Sequence, residues 1–482
     1  MGRVQGIENM RDVFHRAIVT ANPPLAAAER SRYPSVTLPN KPLRSGMGER
    51  DTNRTQRNAR GSNQASKSTM AGIPITSDVG VNRSSPPTMG IVGLLAVLLV
   101  SSMALLERLA EVVCPLLEIP TTAGIWLLFL TYLGYLMALT HLLYHWGPTV
   151  SQWPAKTVFL GVWLSLALLF LAIYPLADSG VLGFESDREE ALNIGAKALW
   201  SGVFPYHCSA VSGIHEGCPD SGNPIAPMPG GLILASPIVL MFGSAASMSL
   251  LSLWALFFGL SAYWRDTSRS LVHVLFLIAA APVLSAEILT GGDHLANTVL
   301  VCIPLLLLIQ NPTRPYAKVL ALLLGFALAW RGLFWLIAVP IVFYGLRTRQ
   351  WQALASISGY ALSGFVIVML PFALWDPAGF APWSVQQRYQ LYEHILPHAA
   401  LVIPACVIAL GACFGWLSRD QNGLLTACGW TLLIPVIAGA VLQSITVGQP
   451  TVLFNGWYSL TSIVLFSVSA FHILPLTASE PP

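Results

Sequence analysis

The chain has 482 residues, of which 54% are hydrophobic and 10% charged, with a mean hydropathy of +0.62. An average soluble domain carries roughly a quarter charged residues, so this composition excludes a soluble globular protein. The formal charge of +3 is unevenly spread: residues 1–88 hold 13 Lys and Arg against 6 Asp and Glu, and the remainder holds 13 against 17.

Residues 1–88 are rich in Asn, Ser, Arg and Pro and show no apolar periodicity, which reads as a disordered basic tail. No apolar core of a secretory leader stands near the start. The positive charge places this tail in the cytoplasm, where it can touch anionic lipid. Residues 89–482 read as a single transmembrane domain.

Long uncharged apolar runs predict an all-α polytopic membrane protein, because a helix satisfies its own backbone within lipid. About twelve runs stand near 90–112, 122–144, 157–178, 246–264, 270–290, 295–311, 316–331, 333–347, 354–375, 398–417, 423–445 and 451–474. Starting inside, the cytoplasmic loops carry Lys156, Arg265, Arg269, Arg314, Lys318, Arg347, Arg349 and Arg419, as the positive-inside rule requires. Both termini are then cytoplasmic. This topology treats residues 226–243, bounded by Pro227, Pro229 and Pro237, as a helix lying on the outer surface rather than a span. The expectation is a multi-pass protein of the plasma or inner membrane.

The outer loop 179–245 is the most polar part of the apolar domain. With the end of the preceding run it gathers seven acids, among them Glu185, Asp187, Glu189 and Glu190. Ser186 followed by Glu189 makes a capping box, and Leu192, Ala196, Leu199, Trp200 and Val203 recur at helical spacing. An amphipathic juxtamembrane helix is therefore expected, ending at Gly202 before Pro205. Asp187 in its first turn offsets the positive end of the helix dipole, and Glu190 lies about one turn on and can share its face.

Seven cysteines are present. Cys302, Cys406, Cys413 and Cys428 fall in apolar runs and read as small core residues. Cys208 and Cys218 lie in the outer loop, where an oxidising compartment would allow a disulfide. No cysteine or histidine spacing matches a zinc site. His207, His215, Glu216 and Asp220 could bind a divalent cation.

The order Asp187, Ala191, Gly195, Leu199, Gly202, Pro205-Tyr206 resembles the first outer loop of GT-C membrane glycosyltransferases. The likeness is nearest to polyprenyl-phosphate-sugar-dependent mannosyltransferases. It extends through Asn223-Pro224, Met228-Pro229-Gly230-Gly231-Leu232, Gly292-Asp293-His294 and Gly325-Phe326-Ala327 to Arg331, covering roughly residues 157–385. Two features depart from the family pattern. The acidic loop follows the third apolar run instead of the first, and the basic residue near Arg331 is commonly Lys in relatives.

The resemblance implies an enzyme of the cell envelope, with a GT-C-like outer catalytic loop. Its partners are a polyprenyl-phosphate-linked sugar and a glycan, lipid or protein acceptor, besides membrane lipid; no nucleic acid is expected. Asp187 is implied as the general base that takes the acceptor's proton, with inversion at the anomeric carbon. Glu190, Tyr206, Asp293, His294, Arg331 and Arg388 are the substrate-binding residues expected beside it, the basic ones stabilising the departing phosphate. No protein metal ligand is assigned. Two other classes stay open. A lipid-linked glycan flippase or other transporter predicts charges deep in several spans or broken helices. A polysaccharide polymerase or ligase predicts a late loop rich in Arg and His, whereas 376–398 holds one Arg and two His.

Overall fold

The computed structural model describes residues 88–179, 187–207, 225–380, 390, 392–447 and 456–472. All belong to one compact unit of the chain, Asp78–Pro482. The basic tail expected over 1–88 lies, but for Thr88, outside the described residues.

The described residues form helices and no strands. In chain order they are α1 (Thr88–Leu116), α2 (Thr121–Val150), α3 (Ala155–Asp178), α4 (Asp187–Trp200) and α5 (Pro229–Phe242). Then come α6 (Met248–Trp264), α7 (Thr267–Ala280), α8 (Pro282–Thr290), α9 (His294–Gln310) and α10 (Ala317–Leu328). The series closes with α11 (Ala338–Arg347), α12 (Trp351–Trp375), α13 (Ala399–Leu417), α14 (Gln421–Val447) and α15 (Leu460–Phe471). Short 3-10 turns occupy Pro205–His207, Gly332–Ile337 and Gly456–Ser459.

Each of the twelve apolar runs contains a helix, but the helices differ in length. Six are long and apolar enough to cross a membrane, or up to eight if each bent pair counts as one span. The remaining apolar helices have 10–17 residues. A 12-residue helix such as α10 reaches about 18 Å, well short of the roughly 30 Å hydrocarbon core.

Lipid contact is written on the long helices. Trp126, Leu130, Met137, Leu168, Leu171, Ile367 and Leu401 are exposed on α2, α3, α12 and α13, which water would penalise and lipid does not. Exposed Trp126 and Trp146 stand near the two ends of α2, about 30 Å apart along its axis, the spacing of an interfacial aromatic belt.

The interior is built around α15, every residue of which is buried. Its polar side chains bond neighbouring helices: Thr461 to Thr298 at 2.8 Å, Ser462 to the Gly429 carbonyl at 3.0 Å, and Ser467 to His273 at 2.8 Å. Such hydrogen bonds hold helices together where the hydrophobic effect does not act between them. Close backbone approach does the same for α10 and α12. A Cβ at Gly325 would collide with the Ala361 carbonyl, and one at Gly364 with that of Leu322.

The run 270–290, expected to be one span, is broken. α7 and α8 meet at 87°. Pro282 cannot continue the preceding ladder, and Ser285 Oγ donates to the Ile278 carbonyl at 3.1 Å at the break. One cysteine expectation needs correction. Cys302 and Cys428 are buried, but Cys406 and Cys413 are exposed on α13, on a helix that shows much of its apolar surface to the surroundings.

Candidate functional site

The site is assembled where three helix ends meet: the last turn of α8, the start of α9, and the break after α10. The chain leaves α10 at Ala329 and extends through Arg331, which has φ −143 and ψ 131. This break exposes backbone carbonyls that a helix end leaves unsatisfied. The start of α5 supplies the donors: Met228 N–H bonds the Trp330 carbonyl at 2.9 Å, and Gly230 N–H bonds that of Ala329 at 2.8 Å. Gly231 lies against the Trp330 indole, where a Cβ would overlap the ring.

Arg331 and Asp293 form a buried ion pair. Nη2 of Arg331 donates to Oδ2 of Asp293 at 2.5 Å, and the indole of Trp330 donates to the same oxygen at 3.2 Å. The two charged residues are 6% and 2% exposed. Arg331 Nε has no hydrogen-bond acceptor among the described residues. The guanidinium carbon stands 5.8 Å over the Tyr458 ring, and the His294 ring lies 4.5 Å from the same tyrosine. Asn297, one turn into α9, donates to the Ala327 carbonyl at 3.5 Å. Glu287, fully buried in α8, accepts the His294 N–H at 3.0 Å.

A second layer joins the acid-bearing helix α4 to this break. Leu192 and Ala196 are buried in a cluster with Leu232 and Trp330. Asn193 fixes the far side of α4: its Oδ1 accepts the Ala245 N–H at 2.7 Å and its Nδ2 donates to Ser244 Oγ at 3.2 Å. Beyond α4 the backbone turns at Gly202, φ 68, which a glycine adopts at no steric cost. Tyr206 then enters the layer, its hydroxyl donating to the Pro227 carbonyl at 2.9 Å. Burial pushes the Tyr206 phenol well above its ordinary pKa, so it stays a neutral donor.

The layer is tied at its rim by His207 and Asp376, which meet at 2.9 Å. The Gly379 backbone N–H, then the His207 contact, hold the Asp376 carboxyl below its usual range. His207 therefore has a carboxylate partner just past the end of α12. Three other residues considered for a cation, His215, Glu216 and Asp220, lie outside the described residues. Among the described residues no group of three or more metal-ligating side chains comes together.

Of the residues expected from the sequence, Asp293, His294 and Arg331 are brought into one cluster. Tyr206 sits in the adjoining layer with its hydroxyl engaged, and Glu190 is half-buried on α4. Asp187 is the first residue of α4, but its side chain lies outside the description, as do Arg388, Cys208 and Cys218. Glu189, expected as the capping-box partner, is buried, while Ser186 lies outside the described residues. His394 and His398 are exposed.

Sequence reasoning missed Trp330, Tyr458 and Asn297. An Asn in an apolar run four residues after Asp293 was a usable signal. Trp330 and Tyr458 carried none, since aromatic residues near span ends are expected anyway.

The arrangement offers a desolvated, oriented cation next to an aromatic ring, beside the layer formed by α4 and α5. Its chemical capacity is to hold an anion at Arg331 in a low-dielectric setting, where such contacts are strong. Comparison with protein-family models, with characterised proteins and with solved structures found no match to this chain.

Proposed function

We propose that this chain is an inverting membrane glycosyltransferase of the GT-C type, which transfers a sugar from a polyprenyl-phosphate donor to an acceptor hydroxyl outside the cytoplasm. One observation carries the reading: Arg331 is buried and held by Asp293, while its Nε still lacks an acceptor among the described residues. A phosphate oxygen would complete it. The donor's lipid tail would lie in the bilayer beside the exposed apolar helices, and its phosphate would leave as a monoester stabilised by Arg331.

Asp187 acts as the general base in this reading. It opens α4, the helix packed through Leu192 and Leu232 on the segment bonded to the residues just before Arg331. A carboxylate partly withdrawn from water is suited to accept the acceptor's proton. His294 and Asp293 orient the donor side. Glu190 and Tyr206 belong to the loop side, where the acceptor enters, and Arg388 is assigned with Arg331 to the departing phosphate. The short apolar helices bring the number of membrane segments to about twelve, with both termini cytoplasmic and the loop 179–245 outside.

The deciding experiment measures transfer from labelled polyprenyl-phosphate mannose, then other polyprenyl-phosphate sugars, in membranes containing the wild type or Asp187→Asn. Transfer by the wild type and its loss in the variant are expected. Unchanged transfer in Asp187→Asn would remove the base assignment.

One observation favours a second reading, a lipid-linked glycan transporter. The α7–α8 helix pair is broken at 87°, and buried Glu287, Asp293 and Arg331 cluster around the end of α8. Broken helices with charged residues are what transporters use for binding. That reading predicts movement of intact lipid-linked glycan across vesicles, with no transfer from any polyprenyl-phosphate sugar.

A further inference from the structure

Asp293 occupies the position just before α9, where an aspartate ordinarily spends its carboxylate on the N–H of the second or third helical residue. Here it makes no such bond. Its Oδ2 faces Arg331 and Trp330 instead. The first N–H of α9, that of His294, is accepted by Glu287 Oε2 from the neighbouring helix α8, at 3.0 Å.

Glu287 grips the connecting turn in a second way. Its backbone carbonyl accepts the N–H groups of Gly291 and Gly292, the latter at 3.0 Å. Gly291 has φ 77, and Gly292 packs so closely on the Glu287 carboxylate that a Cβ would overlap it. Ser249 Oγ holds the Gly292 carbonyl from α6. The turn Gly291–Gly292–Asp293 is therefore fixed at both its backbone and the helix start that follows.

We propose that Glu287 is a positioning residue: by holding the Gly291–Gly292 turn through its carbonyl and the first N–H of α9 through its carboxylate, it fixes Asp293 with its carboxylate on Arg331. The value of the arrangement for ligand binding rests on reading Arg331 as the anion site; the coupling between the three side chains does not. Without Glu287 the turn that carries Asp293 is no longer held, its carboxylate is free to swing to the second or third N–H of α9, and the guanidinium loses its orientation.

The test uses the full chain in detergent micelles, with polyprenyl phosphate as the probe. Glu287→Gln still presents an amide oxygen to the His294 N–H, and Glu287→Ala does not. Polyprenyl phosphate is expected to bind Glu287→Gln within about threefold of the wild type, and Glu287→Ala on the order of tenfold more weakly, the effect of one lost orienting contact. Equal weakening by the two variants would overturn the proposal. Should Glu287→Ala fail to fold, Glu287→Asp, one methylene too short, takes its place.

A ligand-free arm compares thermal unfolding of Glu287→Ala, Arg331→Met and the double variant. The double variant is expected to lose no more Tm than the worse single variant, because Glu287 acts through the partner of Arg331. Additive losses would overturn the proposal. Non-additive losses in a protein that ignores polyprenyl phosphate would sink the donor reading and support the role of Glu287.

Discussion

Arg331 and Asp293 meet at 2.5 Å across the break that ends α10, with both side chains buried. Removing one member of such a pair strands the other charge, whereas removing both does not. Arg331→Met or Asp293→Leu alone should destabilise by about 3–5 kcal/mol. The double variant should recover much of that loss. Denaturant unfolding in bicelles, followed by tryptophan fluorescence, reads all three.

Arg331→Lys separates stability from recognition. An ammonium can still pair with Asp293, but it lacks the second, separately directed donor that Arg331 Nε provides. Stability should stay near wild type. On the proposed reading, sugar transfer should fall on the order of 10–100-fold, chiefly through a higher KM for the polyprenyl-phosphate donor. A variant with wild-type KM would detach Nε from the donor.

At Gly325 α10 and α12 approach closely, with the Ala361 carbonyl in the space a Cβ would need. Gly325→Ala should therefore separate the helices and cost about 1–3 kcal/mol. Gly359→Ala, with open space around its Cα on α12, should be tolerated. The two variants differ by a single methyl group each, so their Tm values compare position alone.

Acid should loosen the rim of the site through Asp376. Its folded-state carboxyl titrates below the ordinary value, because of the Gly379 N–H and then His207. A depressed carboxyl pKa contributes stability that is whole above the unfolded value of about 3.9 and is lost as pH falls through the lower folded value. The wild type should thus show a fall in Tm below about pH 4 to which Asp376 contributes. Asp376→Asn should have a lower Tm at neutral pH and a shallower acid limb.

Much of this architecture was legible in the residues because its causes are local. Apolar runs mark helices, and the spacing of Leu192, Ala196 and Leu199 marks α4. Asp293 and Arg331 stood out only through the resemblance to the GT-C loop motifs that contain them. The lengths of the helices were less legible. α9, α10 and α15 are as apolar as spans but have 17, 12 and 12 residues. A short helix wrapped by other helices is apolar for the same reason a spanning one is. Glu287 stood out as an ionisable residue near the end of an apolar run, but its hold on the start of α9 was illegible for a different reason. It depends on the backbone N–H of residue 294, and no sequence pattern announces which backbone group a distant carboxylate will accept.

The burial of α15 has a consequence for how the protein is made. This helix, enclosed on all sides, follows in the chain every other helix described. Chains are synthesised and begin to fold from the N-terminus, so α1, α9 and α14 must wait beside an unfilled slot until residues 460–471 arrive. During that interval Thr298, His273 and Thr426 lack the hydroxyls of α15 that they later bond. A nascent chain arrested before Gly456 would therefore show lipid a polar groove, the kind of surface by which membrane quality control could tell an unfinished protein from a finished one.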